Sequence, residues 1–120
     1  MATAKFENVK ITGELNVLAN TMYSLWPINN DHEFTTFAHN HLNVIQVDCS
    51  EEPINIILPS ISSSYWMLSI IDVYGKARTN NITISANEVD NIMGYDNVVI
   101  NNDHNNIQLI SDGVNSWILN

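Results

Sequence analysis

Apolar and polar residues alternate along residues 9–17, which is the period of a β-strand with one buried face. The apolar positions are Val9, Ile11, Leu15 and Val17, and the polar ones are Lys10, Thr12, Glu14 and Asn16. Gly13 lies on the apolar side, where it weakens the strand or permits a bulge or the close approach of another backbone. The pattern predicts a half-buried strand near the N-terminus.

Seven further short runs rich in β-branched residues are strand candidates. They cover residues 42–48, 54–58, 65–73, 81–85, 97–100, 106–110 and 116–119. Turn residues separate them, which is typical of an all-β sandwich, barrel or stacked-hairpin fold. No segment combines an apolar i, i+3, i+4 stripe with good helix formers. We therefore predict a compact all-β domain of short antiparallel strands, arranged as a sandwich or as stacked hairpins.

Pairs of turn-forming residues stand between several of these runs. Asn80–Asn81, Asn101–Asn102, Asn105–Asn106 and Asp112–Gly113 fit the two central positions of a type I′ hairpin turn. That turn needs positive φ at both positions, which Asn and Gly adopt at lower cost than other residues. Pro59 follows Leu58 and predicts the end of a strand, because proline cannot donate to the sheet.

Residues 20–33 show no periodicity and predict an irregular loop. This loop contains Met22, Tyr23, Leu25 and Trp26, more large apolar side chains than an exposed loop should carry. Either it folds back over its own core or it docks onto a neighbouring subunit. If a glycan-binding face exists, Trp26 with Tyr23 is where we expect it. The single domain of residues 1–120 thus divides into an N-terminal strand with a docking loop, 1–33, and a β-module, 34–120.

The composition favours self-association. A chain of 120 residues is long enough for one domain with one core. Charged residues make up only 14% of it, against roughly 25% in an ordinary soluble domain. Either amides and hydroxyls coat the exterior, or much of the exterior is buried against copies of the chain. We favour burial against copies.

The net charge of −9 argues against nucleic acid as a partner, because phosphate backbones are repelled. The basic residues are Lys5, Lys10, Lys76 and Arg78, too few and too scattered for a binding groove. No apolar stretch approaches the length of a membrane span, and the first residues lack a signal-peptide core. We expect a soluble chain that is synthesised in a cytoplasm. Cys49 is the single cysteine, which excludes an internal disulfide, and we expect a half-buried thiol at a strand end.

The second half of the chain resembles bacteriophage virion modules of the head-fibre, tail-fibre and capsid-decoration type. The resemblance rests on a strand ending in Leu58-Pro59, an Asp-x-x-Gly turn at 72–75, an Asn-Ile-Thr-Ile strand at 81–84, an Ile-x-Gly turn at 92–94 and a Leu-Ile-Ser-Asp-Gly-x-Asn-x-Trp hairpin at 109–117. Residues 34–59 are similar to the preceding strand pair of the same module. The chain departs from the pattern in having few glycines around residues 85–94.

This resemblance implies a homotrimer of β-strands on a virion surface. The chain is short and lacks a repetitive shaft, which favours a minor capsid-associated head-fibre or decoration component. The expected partners are copies of itself and other capsid or tail proteins. A carbohydrate- or host-receptor-binding module of a tail fibre is the alternative, with a host surface glycan as its ligand.

The sequence shows no catalytic constellation, so we expect no enzymatic activity and no cofactor. Glu51 and Glu52 are adjacent and would point to opposite sides of an extended segment, so they cannot act together as acid and base. Residues 62–64 are three serines outside any nucleophile-elbow setting, and they predict a polar turn.

His39 and His41 are the one candidate metal site. Residues i and i+2 of a strand share a face, so three copies around an axis would present six imidazoles to a metal ion. The resemblance to phage fibres supports this interpretation, whereas an exposed strand start explains the two histidines equally well. If the two histidines bind a metal ion at the axis, Phe37, which has the same parity, should also face inward, towards that axis.

Trp117 shares the parity of Leu119 in the last predicted hairpin, which favours a place in the core over a sugar-stacking role. The residues that we predict for the core or an interface are Val9, Ile11, Leu15, Val17, Ile82, Ile84, Leu109 and Trp117.

Overall fold

The computed structural model of the chain describes residues 23–37, 42–62 and 65–119. The predicted strand at 9–17, Met22, His39 and His41 therefore lie outside the described residues, as do Ser63 and Ser64. Within the described ranges the protein is all-β, and no helix there is long and apolar enough to cross a membrane.

Ten strands follow one another along this part of the chain. They are β1 (Tyr23–Ile28), β2 (His32–Glu33), β3 (Leu42–Val47), β4 (Ile54–Ile57), β5 (Met67–Asp72), β6 (Ile82–Ser85), β7 (Asn91–Ile92), β8 (Asn97–Ile100), β9 (Asn106–Ser111) and β10 (Ser116–Leu119). They form a six-stranded sheet with the order β1-β3-β5-β9-β10-β7 and a four-stranded sheet with the order β2-β4-β6-β8. We call these the larger and the smaller sheet.

The chain passes from one sheet to the other with each successive strand from β1 to β6, which is the arrangement of a solenoid. Each pass through both sheets makes one coil, and equivalent strands of successive coils pair in parallel. Leu42 pairs with Met67, 25 positions further on, and Ile54 pairs with Ile82, 28 positions further on. The coils therefore stack without a fixed repeat length, because the connecting turns differ.

The chain reverses direction between β7 and β8 and closes one end of the solenoid. Strand β8 pairs antiparallel with β6, and β9 pairs antiparallel with β5. Strand β10 then pairs antiparallel with β9 and parallel with β7, a two-residue strand at the edge. We call β7 to β10 the reversed cap, since it covers the last parallel coil.

The core lies between the two sheets and is built largely from stacked isoleucines. Alternate residues of each strand point inward, and Ile45 of β3 stands directly beside Ile70 of β5. In the smaller sheet, Ile54, Ile82 and Ile100 form a continuous inward row across three strands. Burying each such side chain contributes roughly 1.5–3 kcal/mol, so these rows hold the coils together.

All seven strands predicted between residues 42 and 119 are confirmed, to within two residues at each end. The predicted antiparallel pairing is correct for three strand pairs, β5–β9, β6–β8 and β9–β10. It is wrong for the other five, which are parallel, so the fold is a solenoid and not a sandwich of hairpins. Parallel pairing arises because consecutive strands belong to different sheets and meet their partners one coil later.

The predicted irregular loop at 20–33 is wrong for residues 23–33, which contain β1 and β2. Trp26 and Ile28 of β1 pack against the core, while Leu25 and Pro27 point outward. Proline is tolerated there because β1 pairs with β3 alone among the described strands and so forms a sheet edge. The segments 23–33 and 34–119 thus share the same two sheets.

The turns only partly match the prediction. The predicted β9–β10 hairpin is confirmed, but its loop spans residues 112–115 and only Gly113 of the predicted pair has positive φ, so the type I′ turn is wrong. Asp112 Oδ1 accepts hydrogen bonds from three successive backbone N–H groups, Val114 to Ser116. The predicted positive φ at Asn pairs is wrong: in the described chain the non-glycine residues with positive φ are Ser62, Met93 and His104. Asparagine amides instead bridge segments, as where Asn80 Nδ2 donates to the carbonyl oxygen of Cys49 at 2.9 Å.

Candidate functional site

The outer face of the larger sheet carries a continuous row of apolar side chains. Leu42 of β3 is paired with Met67 of β5, Met67 with Ile110 of β9, and Ile110 with Ile118 of β10. Met67 is 48% exposed, Ile110 39% and Ile118 42%, while Leu42 is half-buried. We call these four residues the apolar row. It runs across four neighbouring strands, at right angles to them.

No charged side chain points outward from the four strands β1, β3, β5 and β9 of this face, as far as the structure describes their side chains. The outward positions besides the apolar row are Leu25, Pro27, Val44, Gln46, Ser69, Ile71, Asn106 and Gln108. Leu25 and Val44 stand side by side and widen the apolar surface next to Leu42. Amides occupy the remaining outward positions of β9, so the described outward positions on these strands are uncharged, and the Asp48 carboxylate lies beside Gln46 just beyond the carboxyl end of β3.

Most of the described ionisable side chains lie in turns. Asp48, Glu51 and Glu52 follow β3, and Lys76 and Arg78 lie between β5 and β6. The adjacent Glu51 and Glu52 are exposed in a bend. The described charged side chains thus lie mostly in turns and not at the outward strand positions of the larger sheet.

The outer face of the smaller sheet is more polar. Asn55, Thr83 and Val99 form one outward row across β4, β6 and β8, and Ile57, Ser85 and Asn97 form the next. At the β2 edge, His32 and Glu33 are both exposed. The two outer faces therefore differ: one is neutral and apolar, and the other consists mainly of amides and hydroxyls with charge at its edge.

Asp72 is the fully buried carboxylate at the end of β5. Its Oδ1 accepts a hydrogen bond from the backbone N–H of Gly75 at 3.1 Å, and its Oδ2 accepts from Ala77 at 2.8 Å and from His104 at 3.0 Å. Burial raises the pKa of the Asp72 carboxyl, but hydrogen bonds from the backbone of Ala77, Lys76 and His104 and from the Cys49 thiol together outweigh burial and hold that pKa below 3.8. Each of the two carboxylate oxygens therefore accepts two hydrogen bonds from groups of the fold, counting the Cys49 thiol on Oδ1.

The thiol of Cys49 is completely buried, more than the half-buried site that the sequence indicates. Its Sγ donates to Asp72 Oδ1 at 3.6 Å. Burial, and then the negative charge of Asp72, raise the pKa of Cys49 from 9.0 to about 11. A thiolate is the nucleophilic form of cysteine, so at neutral pH this side chain is unreactive.

Trp26 is half-buried and packs against the core. Its ring packs edge-on against Phe34 and Phe37, with ring centroids 5.4 Å and 6.1 Å away. Its Nε1 donates to the side-chain oxygen of Asn43 at 3.2 Å. Of the other candidates in this segment, Leu25 is 53% exposed, and the side chain of Tyr23 lies outside the described residues.

The predicted core position of Trp117 is confirmed, whereas Phe37, predicted to face a trimer axis, lies in the core of its own chain. Phe37 is 3% exposed and lies in the core, and Trp117 is fully buried together with Ile82, Ile84 and Leu109. The metal site that Phe37 accompanied in the prediction involves His39 and His41, outside the described residues. Over the described ranges, no group of three or more His, Cys, Asp or Glu side chains is placed to hold a metal ion.

A shallow cleft of ≈ 290 Å³ lies at the carboxyl ends of β1 and β3. Asn29, Gln46, Asp48 and Tyr74 supply its polar groups, and Tyr74 is 60% exposed. An exposed aromatic ring beside amide and carboxylate oxygens is the chemistry that holds a sugar: the ring stacks on the pyranose and the oxygens bind hydroxyls.

The sequence reasoning did not identify the apolar row or the Asp72 cluster. The signal for the apolar row is present, since 42–48 and 65–73 have apolar residues at both parities, which indicates strands covered on both faces.

No protein-family model matches the chain, and no curated protein matches it either.

Proposed function

We propose that this protein is a non-enzymatic structural component of a bacteriophage virion, of the head-fibre or capsid-decoration type, and that it assembles as a homotrimer. The neutral, apolar outer face of the larger sheet is the observation that carries the proposal. A chain of net charge −9 can associate with copies of itself only where carboxylates do not face one another, and this face meets that requirement.

The motifs behind the resemblance support the proposal, because they coincide with turns on which the fold depends. The Asp-x-x-Gly motif closes on the hydrogen bond from Gly75 N–H to Asp72 Oδ1. The Ile-x-Gly motif forms a two-residue turn in which Ile92 and Tyr95 exchange both backbone hydrogen bonds. The last motif forms the β9–β10 hairpin.

The chemistry of the buried polar groups also favours a passive role. An active site needs a nucleophile or base whose reactive atom faces a cleft and has a lone pair that is not already used in a structural hydrogen bond. The Asp72 carboxylate is instead fully bonded to backbone N–H groups, and the Cys49 thiol beside it is protonated and buried. Both groups serve the fold.

The molar mass in solution and the copy number in purified particles test the proposal. We expect light scattering to give three times the 13.5 kDa of one chain, and quantitative mass spectrometry to find the protein in virions at a fixed multiple of three. A monomer at all accessible concentrations, together with absence from particles, would contradict it.

The Tyr74 cleft favours a second candidate, a carbohydrate- or receptor-binding module. The test is a glycan array with the wild-type protein and the Tyr74→Ala variant, with Tyr95→Ala as a control at a similarly exposed tyrosine, 69% against 60%. Binding that Tyr74→Ala abolishes and Tyr95→Ala retains would support this candidate, whereas silence of the wild type across the array favours the structural role.

A further inference from the structure

We propose that copies of this chain meet through the apolar row of the larger sheet, around an axis parallel to the direction in which the coils stack. The inference rests on the proposed homotrimer and adds to it the face, the residues and the orientation. The outer face of the smaller sheet then stays exposed to solvent or to other partners.

The continuity of the apolar row gives it the character of an interface. Its four members are joined by direct pairing from Leu42 to Ile118, with no polar residue between them. Neighbouring strands lie about 4.8 Å apart, so the row extends for about 14 Å, and Leu25 and Val44 widen it on one side. Contiguous exposed apolar surface of this kind marks a site of association, whereas scattered apolar residues do not.

The charge distribution identifies a second copy of the chain as the occupant. A basic partner would be attracted to the carboxylates in the turns, and an anionic surface would need basic residues, which the described outward positions of this face lack. A second copy, itself at net charge −9, is best accommodated at the neutral face. The smaller sheet fits less well, since the β2 edge brings Glu33 next to its outward rows.

The direction of the apolar row favours a rotation axis parallel to it. The row runs at right angles to the strands and therefore along the stacking direction. A rotation about an axis parallel to this direction brings the same residue of every copy to the same height, so that Met67 meets Met67 and Ile110 meets Ile110. Such an assembly closes on itself and leaves no apolar row open to which further copies could add.

A pair of glutamate substitutions at equally exposed isoleucines tests the face. Ile110 lies in the apolar row and is 39% exposed, and Ile57 lies on the outer face of the smaller sheet and is 37% exposed. We expect Ile110→Glu to raise the dissociation constant of the assembly on the order of a hundredfold, because like charges would meet at the axis. Ile57→Glu should leave it unchanged. Circular dichroism and thermal unfolding monitor folding of both variants.

A cross-linking pair provides a measurement that does not depend on weakening the assembly. Met67→Cys places a thiol at the proposed axis, and Val99→Cys places one at similar exposure on the smaller sheet, 48% against 43%. A short bismaleimide should link Met67→Cys chains into covalent dimers and leave Val99→Cys chains unlinked. Cys49 does not interfere, because its thiol is buried and protonated at neutral pH.

The outcomes separate this inference from the proposed function. If the wild type is a trimer, Ile110→Glu stays a trimer and Met67→Cys does not cross-link, then the face is wrong while the homotrimer stands. A second outcome is that the wild type has the mass of a single chain, Ile110→Glu lowers stability and the Met67→Cys thiol is protected from the reagent. In that case the chain covers this face itself, and self-association through this face is overturned. A wild-type monomer with a reactive Met67→Cys thiol overturns both.

Discussion

The backbone N–H of His104 donates a hydrogen bond of 3.0 Å to Oδ2 of Asp72, and this bond joins the reversed cap to the last parallel coil. Asp72 ends β5, whereas His104 lies in the turn between β8 and β9. The same carboxylate organises the β5–β6 turn through Gly75 and Ala77. One buried side chain therefore fixes both the corner of a coil and the turn between β8 and β9.

We expect Asp72→Asn to reduce the free energy of unfolding by about 3 kcal/mol. Asparagine keeps the size of the side chain but has one acceptor oxygen, so at least one buried N–H group loses its partner, which costs about 1–3 kcal/mol per group. Urea unfolding followed by tryptophan fluorescence measures the change. The control is Asp96→Asn at an exposed aspartate, where we expect a change within about 0.5 kcal/mol. Equal losses in the two variants would contradict the role of Asp72.

Acid should destabilise the protein partly through Asp72. Its folded-state pKa lies below 3.8, so the unfolded chain takes up a proton first as the pH falls. The stabilisation is present well above pH 3.8 and is lost as the pH falls through the folded-state value. Urea midpoints measured between about pH 6 and about pH 3 should fall less steeply for Asp72→Asn than for the wild type. Parallel curves for the two proteins would refute the assignment.

Alkali should act through Cys49 in the opposite direction. Its pKa is raised to about 11, so the thiol remains protonated in the folded protein while the unfolded chain ionises from pH 9.0 upward. The stabilisation is present below pH 9.0 and is lost between pH 9.0 and about 11. Cys49→Ala removes this ionisation and should flatten the decline in unfolding free energy over that interval. We also expect the native thiol to resist aromatic disulfide reagents at neutral pH, and rapid labelling without unfolding would show that it is accessible.

Local pattern predicted the strands because alternation and β-branched content are properties of a few adjacent residues. It did not predict the parallel solenoid, since a strand such as β3 pairs with residues 25 positions away and the coils have no constant length from which a repeat could be read. The turns do not resolve this ambiguity either. Asn80 could equally close a hairpin or, as here, bridge to Cys49 in the preceding coil.

The sequence indicates that the surface carries little charge, but it does not show where on the fold the apolar row lies. Burial against copies stays a prediction from the low charge and abundant amides, and the sequence does not show which strands lie side by side. Ile110 and Met67 become neighbours only through the antiparallel return of β9 onto β5. For Trp26 the reverse holds, because its sequence context resembles a loop although the residue lies in β1 and its ring packs next to Phe34.

We expect Trp26→Ala to destabilise the protein by about 3 kcal/mol, because the ring packs against Phe34 and Phe37 and its removal leaves a cavity at the core. Trp26→Phe keeps much of the packing and loses the hydrogen bond to Asn43, so it should cost about 1 kcal/mol. Tyr74→Ala at a 60% exposed ring is the control, with little effect on stability. Chemical unfolding measures all three. A loss at Tyr74 as large as that at Trp26 would contradict the placement of Trp26 at the core.

Gly75 and Gly94 allow the contact between the β5–β6 turn and His104 to be measured directly. Both have positive φ, +73° and +91°, so alanine at either position incurs a backbone cost of roughly 1–2 kcal/mol. A Cβ at Gly75 would in addition overlap the His104 imidazole, whereas a Cβ at Gly94 would meet no atom within 4 Å. We therefore expect Gly75→Ala to cost about 1 kcal/mol more than Gly94→Ala in urea unfolding.

The His104→Gly background isolates this steric part of the cost. It removes the imidazole, and glycine readily adopts the φ of +58° found at position 104. In this background Gly75→Ala and Gly94→Ala should cost the same, because only the backbone contribution remains at both positions. If the extra cost at Gly75 persists without the imidazole, the contact of this turn with the reversed cap does not involve the His104 ring.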